Sequence, residues 1–258
     1  MLEKLPARTG ILWVRQGFGL FRKQPGALLA LLFSSLFLSI ATLVVPLLGP
    51  LLPTLLTPLF SMALLQACAE IDQGKRPMPG LVFIGFHKPA RAPLMLLGLL
   101  YIMVWLVALA VLSWMDDGML VKMVTRQIPM DEKLLEDSRL AILTAVGIYL
   151  FAWLMTCFAA PLIYWQRQSI GKALFFSAYA VLRSFWAFIA GGVTLFALHQ
   201  IGITIPVLLF DSVALEATAI FTVFFLLVIL VHCMLYASYC RIFGTPAARP
   251  EPAPTTTA

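Results

Sequence analysis

Residues 93–114 read PLMLLGLLYIMVWLVALAVLSW, a stretch of 22 residues without a charge. An α-helix rises 1.5 Å per residue, so about 20 apolar residues cross the hydrocarbon core of a bilayer. The stretch is therefore read as a spanning helix. Outward from it, five more runs of the same kind occupy roughly 26–45, 51–70, 140–164, 186–210 and 217–240. The run at 51–70 is the weakest, because Pro53 and Pro58 fall near its start. The runs are continuous rather than alternating, which excludes the period-2 pattern of a membrane β-barrel. The expected fold is all-α integral membrane: six transmembrane helices arranged as three hairpins within residues 1–244.

Composition points the same way. The 258 residues are 61% hydrophobic and 12% charged, with a mean hydropathy of +0.95. Soluble domains carry about 25% charged residues. Some 25 residues, including an aromatic and basic stretch, precede the first run, and a second run follows after the turn VVPLLGPLLP. A cleaved signal peptide is therefore not expected. The tail GTPAARPEPAPTTTA is rich in Pro and Thr, and residues 245–258 are expected to be disordered.

Basic residues set the orientation. With both termini cytoplasmic, all but four of the 18 Lys and Arg residues fall inside; the exceptions are Lys122, Arg126, Lys133 and Arg139 in the loop 115–139. Asp116, Asp117, Asp131, Glu132, Glu136, Asp137, Asp211 and Glu216 fall outside. The net charge of +6 is thus a product of topology, and no basic domain outside the membrane suggests nucleic-acid binding. In the outer loop, LVKMV reads as a short surface helix and Asp131 as the cap of a second. Cys68, Cys157, Cys233 and Cys240 all lie in the cytoplasmic halves of helices, where disulfides are not expected. They read as small packing residues.

A short phrase recurs: GFGLFRKQP at 17–25, VFIGFHKPA at 82–90 and AYAVLRSFW at 178–186. Each pairs two bulky residues at i, i+3 (Phe18/Phe21, Phe83/Phe86, Tyr179/Leu182) with basic residues, then Pro or Trp, then a spanning run. That spacing puts both side chains on one helical face. Ile11, Val14, Phe18 and Phe21 extend one stripe; Leu174, Ala178 and Leu182 form another. Each phrase is expected to be a cytoplasmic amphipathic helix in the membrane interface, one before each hairpin. Anionic lipid headgroups would then meet Arg22, Lys23, Lys88, Arg91, Lys172 and Arg183.

These phrases, with VVPLLGPLL, AEIDQGKRP, FAAPLIYWQ leading into GKALFFSAYAVLRSFWAF, and LYASYCRIFG, resemble an uncharacterised family of six-helix inner-membrane proteins of proteobacteria. The most specific pieces are Pro161 and the set Ser177, Ala180, Arg183 and Trp186. The resemblance implies a multi-pass inner-membrane protein, and it brings no assigned activity and no catalytic residues.

Polar residues inside a membrane are candidate functional sites. His199 and Gln200 lie near the middle of the fifth run, and His232 in the inner half of the sixth. The two imidazoles sit at different depths, so no shared metal is expected, and a hydrogen bond between helices is the expected role of His199. Glu70 and Asp72 are expected to form solvated pairs with Lys75 and Arg76. Ala187 and Gly191 fit small-xxx-small packing. No Gly-rich phosphate loop, HExxH or GxSxG is present. No catalytic, cofactor or metal role is assigned. The expected function is non-enzymatic, through packing with membrane lipids, a second copy or another membrane protein. A small permease or lipid-handling transporter is the alternative.

Overall fold

The computed structural model describes residues 5–46, 48–125, 127–129, 132–209 and 212–246. Most of the tail expected to be disordered, and Asp131 with its expected cap, lie outside the described residues. Among those described there is no strand, and six helices are long and apolar enough to cross a membrane. They are α2 (Pro25–Thr42), α3 (Leu52–Asp72), α4 (Arg91–Met115), α7 with α8 (Arg139–Thr156 and Ala159–Gln166), α10 (Phe185–Leu209) and α11 (Val213–Phe243). Four shorter helices complete the α set: α1 (Arg8–Lys23), α5 (Met119–Val124), α6 (Glu132–Asp137) and α9 (Ile170–Arg183). A 3-10 helix covers Pro79–Phe86.

Local chemistry explains the boundaries. Pro25 begins α2, where its missing N–H costs nothing. The fourth span breaks at Cys157 and Phe158, just ahead of Pro161. Proline clashes with the carbonyl four residues back and disfavours helix immediately before it. The freed Phe158 N–H donates to Ser177 Oγ at 3.1 Å, so the break is satisfied from α9. Inside the spans, hydroxyls of Ser35, Ser39, Thr144, Thr156, Thr194, Thr218 and Thr222 donate to carbonyls one turn back. Such bonds keep polar side chains satisfied without water. In the loop, α5 forms over the expected segment, and the Asp116 carboxylate accepts from Gly118 and Leu120 N–H at 3.0 and 2.8 Å.

Consecutive spans pack together in pairs: α2 with α3, α4 with α7, α10 with α11. The central helix is α3, with 61% of its apolar stretch buried against 6–22% in the other five spans. It touches α2, α4, α8 and α11. The 3-10 helix packs chiefly on α2 and α3, and α9 on the two halves of the fourth span, α7 and α8. The first short helix, α1, packs on the last two spans, α10 and α11, and so closes the start of the chain onto its end.

The two ends of the bundle differ. The end that carries α1, the 3-10 helix and α9, called the basic end below, holds the core: Trp13, Leu28, Leu59, Leu94, Phe158 and Tyr239 are all buried there. Toward the other end the spans expose Phe37, Val44, Trp114, Leu140 and Leu208.

The faces of α1 and α9 that pack on the protein are largely not the stripes expected for the membrane interface. On α1 the face against α10 and α11 is Gly10, Trp13, Val14, Gly17 and Leu20, while Ile11 and Phe18 are exposed. On α9 it is Ala173, Ser177, Ala180 and Val181, while Leu182 is exposed. Small residues on these faces, Gly10 and Gly17 on α1 and Ala173, Ser177 and Ala180 on α9, let backbones approach, with Trp13, Val14, Leu20 and Val181 packed beside them. The second phrase forms no amphipathic α-helix: in the 3-10 turn Leu81, Val82, Ile84 and Gly85 are all buried, since Pro79 and Gly80 leave too short a run for a two-faced helix.

Candidate polar network and grooves at the basic end

Where α3, α8 and α11 meet, polar side chains converge. Trp165 Nε1 donates to Gln66 Oε1 at 2.8 Å, and Gln66 Nε2 donates to Glu70 at 3.4 Å. Gln166 Nε2 donates to Tyr239 OH at 3.1 Å, and Gln168 Nε2 to Gln166 Oε1 at 2.8 Å. Tyr236 OH donates to Asp72 Oδ2 at 3.1 Å, with Lys23 Nζ 3.9 Å from Oδ1. Aromatic rings lock the same junction, with Trp165 and Tyr239 centroids 4.7 Å apart and Phe158 set against Phe188, Tyr239 and Phe243. Gln168 Oε1 is left buried without a partner, but the other bonds of the network fix one register among helices whose apolar faces alone would slide.

Asp72 therefore pairs with Lys23 of α1, not with Lys75 or Arg76. Both members are about half exposed, so the pair is solvated and worth at most about 1 kcal/mol. Gln24 Nε2 donates to the Lys75 carbonyl at 3.0 Å, which ties the start of α2 to the end of α3. The thiols of Cys68 and Cys233, 165 positions apart, lie 3.5 Å from each other and are fully buried.

The six cations expected to meet headgroups fall at span ends on this one side. Arg22, Lys23, Lys88, Arg91 and Lys172 are exposed, and Arg183 is part-buried with its guanidinium 3.5 Å from Tyr179 OH. The first bulky residue of each phrase is exposed to a similar degree: Phe18 47%, Phe83 50% and Tyr179 41%.

The intramembrane candidates separate. His232 Nδ1–H donates to the Val228 carbonyl at 2.7 Å, within its own helix. Gln200 is exposed on the surface of α10. His199 does not make the interhelical bond expected of it: its Nδ1 is buried without a partner. It lines a cavity of about 250 Å³ among α7, α10 and α11, whose other walls include Trp153, Leu195, Leu227 and Met234. The neighbouring side chains are apolar there, so no acceptor or donor is in reach. Among the described residues no three His, Cys, Asp or Glu side chains converge as metal ligands would.

Two grooves flank α1 where it lies on α11. One, of about 390 Å³, includes Lys23, Asp72 and Tyr236. The other, of about 680 Å³, includes Arg8, Trp13 and Arg241. They share Gln16, Ala237 and Cys240.

The chain is 29% identical over 254 aligned positions to a probable inner membrane protein of Burkholderia thailandensis. The match covers 94% of each chain. It bears out the resemblance to uncharacterised inner-membrane proteins. No family model matches the chain, and no solved structure matches it. With six spanning helices and this relative, the chain is a multi-pass membrane protein.

Sequence reading passed over Gln66, Trp165, Gln166, Tyr236 and Tyr239. One signal was there: Gln66 interrupts the apolar run MALLQACA, and an amide at that position needs a partner. The indole and phenol partners gave none, because Trp and Tyr are ordinary at membrane interfaces.

Proposed function

We propose that this chain is a non-enzymatic multi-pass protein of the bacterial inner membrane that acts through its contacts with lipid. The observation that carries the reading is the pairing, in all three phrases, of an exposed aromatic with basic side chains at one end of the bundle. Aromatic rings favour the headgroup level, and each Lys or Arg near an anionic leaflet adds about 1 kcal/mol, screened by salt. The apolar surface toward the opposite end suits acyl chains. Reversing the charge at Arg22, Lys88 and Arg183 is expected to reduce anionic lipid co-purifying in mild detergent. An unchanged lipid profile contradicts the reading.

The basic end faces the cytoplasm in this proposal, with both termini inside. The support is the distribution of Lys and Arg. A reporter fused after Phe243 should read as cytoplasmic and one after Arg126 as periplasmic; both on one side would contradict it. The permease alternative has less behind it, since the cavity reaching His199 is apolar apart from that imidazole and offers a substrate no polar path.

A further inference from the structure

We infer that the groove between α1 and α11 is a specific site for a phosphate group carried by a lipid, held by Arg8 and Arg241. The inference rests on the lipid-contact reading above and adds to it a defined site made of residues outside the three phrases.

Three observations support it. The first is charge. Of the two grooves beside α1, the smaller contains Lys23 with Asp72, a cation already facing a carboxylate 3.9 Å away. The larger carries Arg8 and Arg241, and no carboxylate is among its described lining residues. Two guanidiniums facing one cavity with no carboxylate among the described lining residues suit an anion, and planar guanidinium forks match phosphate oxygens.

The second is neutral polar lining. Gln16 and Thr9, on the same wall as the arginines, can donate to phosphate oxygens.

The third decides between sources of phosphate. The remaining wall is apolar, formed by Leu5, Pro6, Leu12 and Ala237. Leu12 is 48% exposed and Ile11, beside it, 52%. A free phosphate ion gains nothing from such walls, whereas a phospholipid places its headgroup on the arginines and its glycerol and first methylenes against the leucines. The groove lies at the end of α11, where the span meets the headgroup region.

The test uses the full chain in detergent, titrated with three probes: a short-chain phosphatidic acid, inorganic phosphate, and a diacylglycerol of the same chain length. Binding is read by calorimetry. The lipid phosphate should bind, with inorganic phosphate at least about tenfold weaker and the diacylglycerol at least about tenfold weaker, a charge-assisted contact being worth that much. Arg8→Gln with Arg241→Gln should weaken the phosphatidic acid at least about tenfold. Unchanged affinity in the double variant overturns the inference, as does inorganic phosphate binding as tightly as the lipid. If wild-type protein retains anionic lipid that depends on Arg22, Lys88 and Arg183 but not on Arg8 and Arg241, this site fails and the broader reading stands. If wild-type protein binds none of the probes and retains no anionic lipid, both fall.

Discussion

At the scale of single residues, two glycines determine how α1 sits. Gly10 lies on the backbone at Ala187 and Gly191, and a Cβ at Gly17 would stand 2.8 Å from Met234 N. The small pair Ala187 and Gly191, noted in the sequence as a packing motif, is thus used by α1, with Met234 of α11 also against Gly191. Gly17→Val should destabilise the protein by about 1–3 kcal/mol, the usual cost of overpacking. Gly19 meets nothing within 4 Å, so Gly19→Ala should be neutral or stabilise by up to about 1 kcal/mol through helix propensity. Thermal unfolding in detergent compares the two. Equal effects would mean that α1 is not docked as described. Hydropathy gave no hint of this contact, because a glycine in an amphipathic stretch reads as a weakness in a helix and not as its docking face. His199 was visible in the sequence for the opposite reason: an imidazole in an apolar run stands out, but its lack of a partner depends on side chains from three helices.

At the scale of elements, the spans were legible and their packing was not. Continuous apolar runs fix length and class because a bilayer demands both. Pro161 lies in the fourth apolar run, and the chain breaks just ahead of it, at Cys157 and Phe158. The three phrases were legible as short segments preceding alternate spans. Two became α-helices with one buried and one exposed face, and the third a 3-10 turn. The pattern assigned a stripe to the membrane interface and did not reveal the face that packs on protein. That face uses Gly, Ala and Ser for close approach, with Trp13 and Leu20 beside them on α1, and leaves Phe18 and Leu182 outward. The same outward placement is what makes a lipid role reasonable for them.

At the scale of the molecule, three short segments pack on the spans at one end: the 3-10 helix on α2 and α3, α9 on α7 and α8, and α1 on α10 and α11, which closes the start of the chain onto its end. The closure brings α3, the most buried span, against α11. Both sit far apart in sequence, and no local pattern forces them together; the register comes from Gln66, Trp165, Tyr236 and Tyr239, joined only by the fold. Cys68 and Cys233 report on this directly, since their thiols lie 3.5 Å apart with α3 on one side and α11 on the other. In a Cys157→Ser, Cys240→Ser background, the folded protein would be treated in membranes with iodine, an apolar oxidant, and the linkage mapped by mass spectrometry of non-reduced peptides. The account predicts a single bond joining Cys68 to Cys233 within one chain. Failure to form it under conditions that cross-link the same two cysteines in denatured protein, or its formation only between chains, would contradict the closed arrangement.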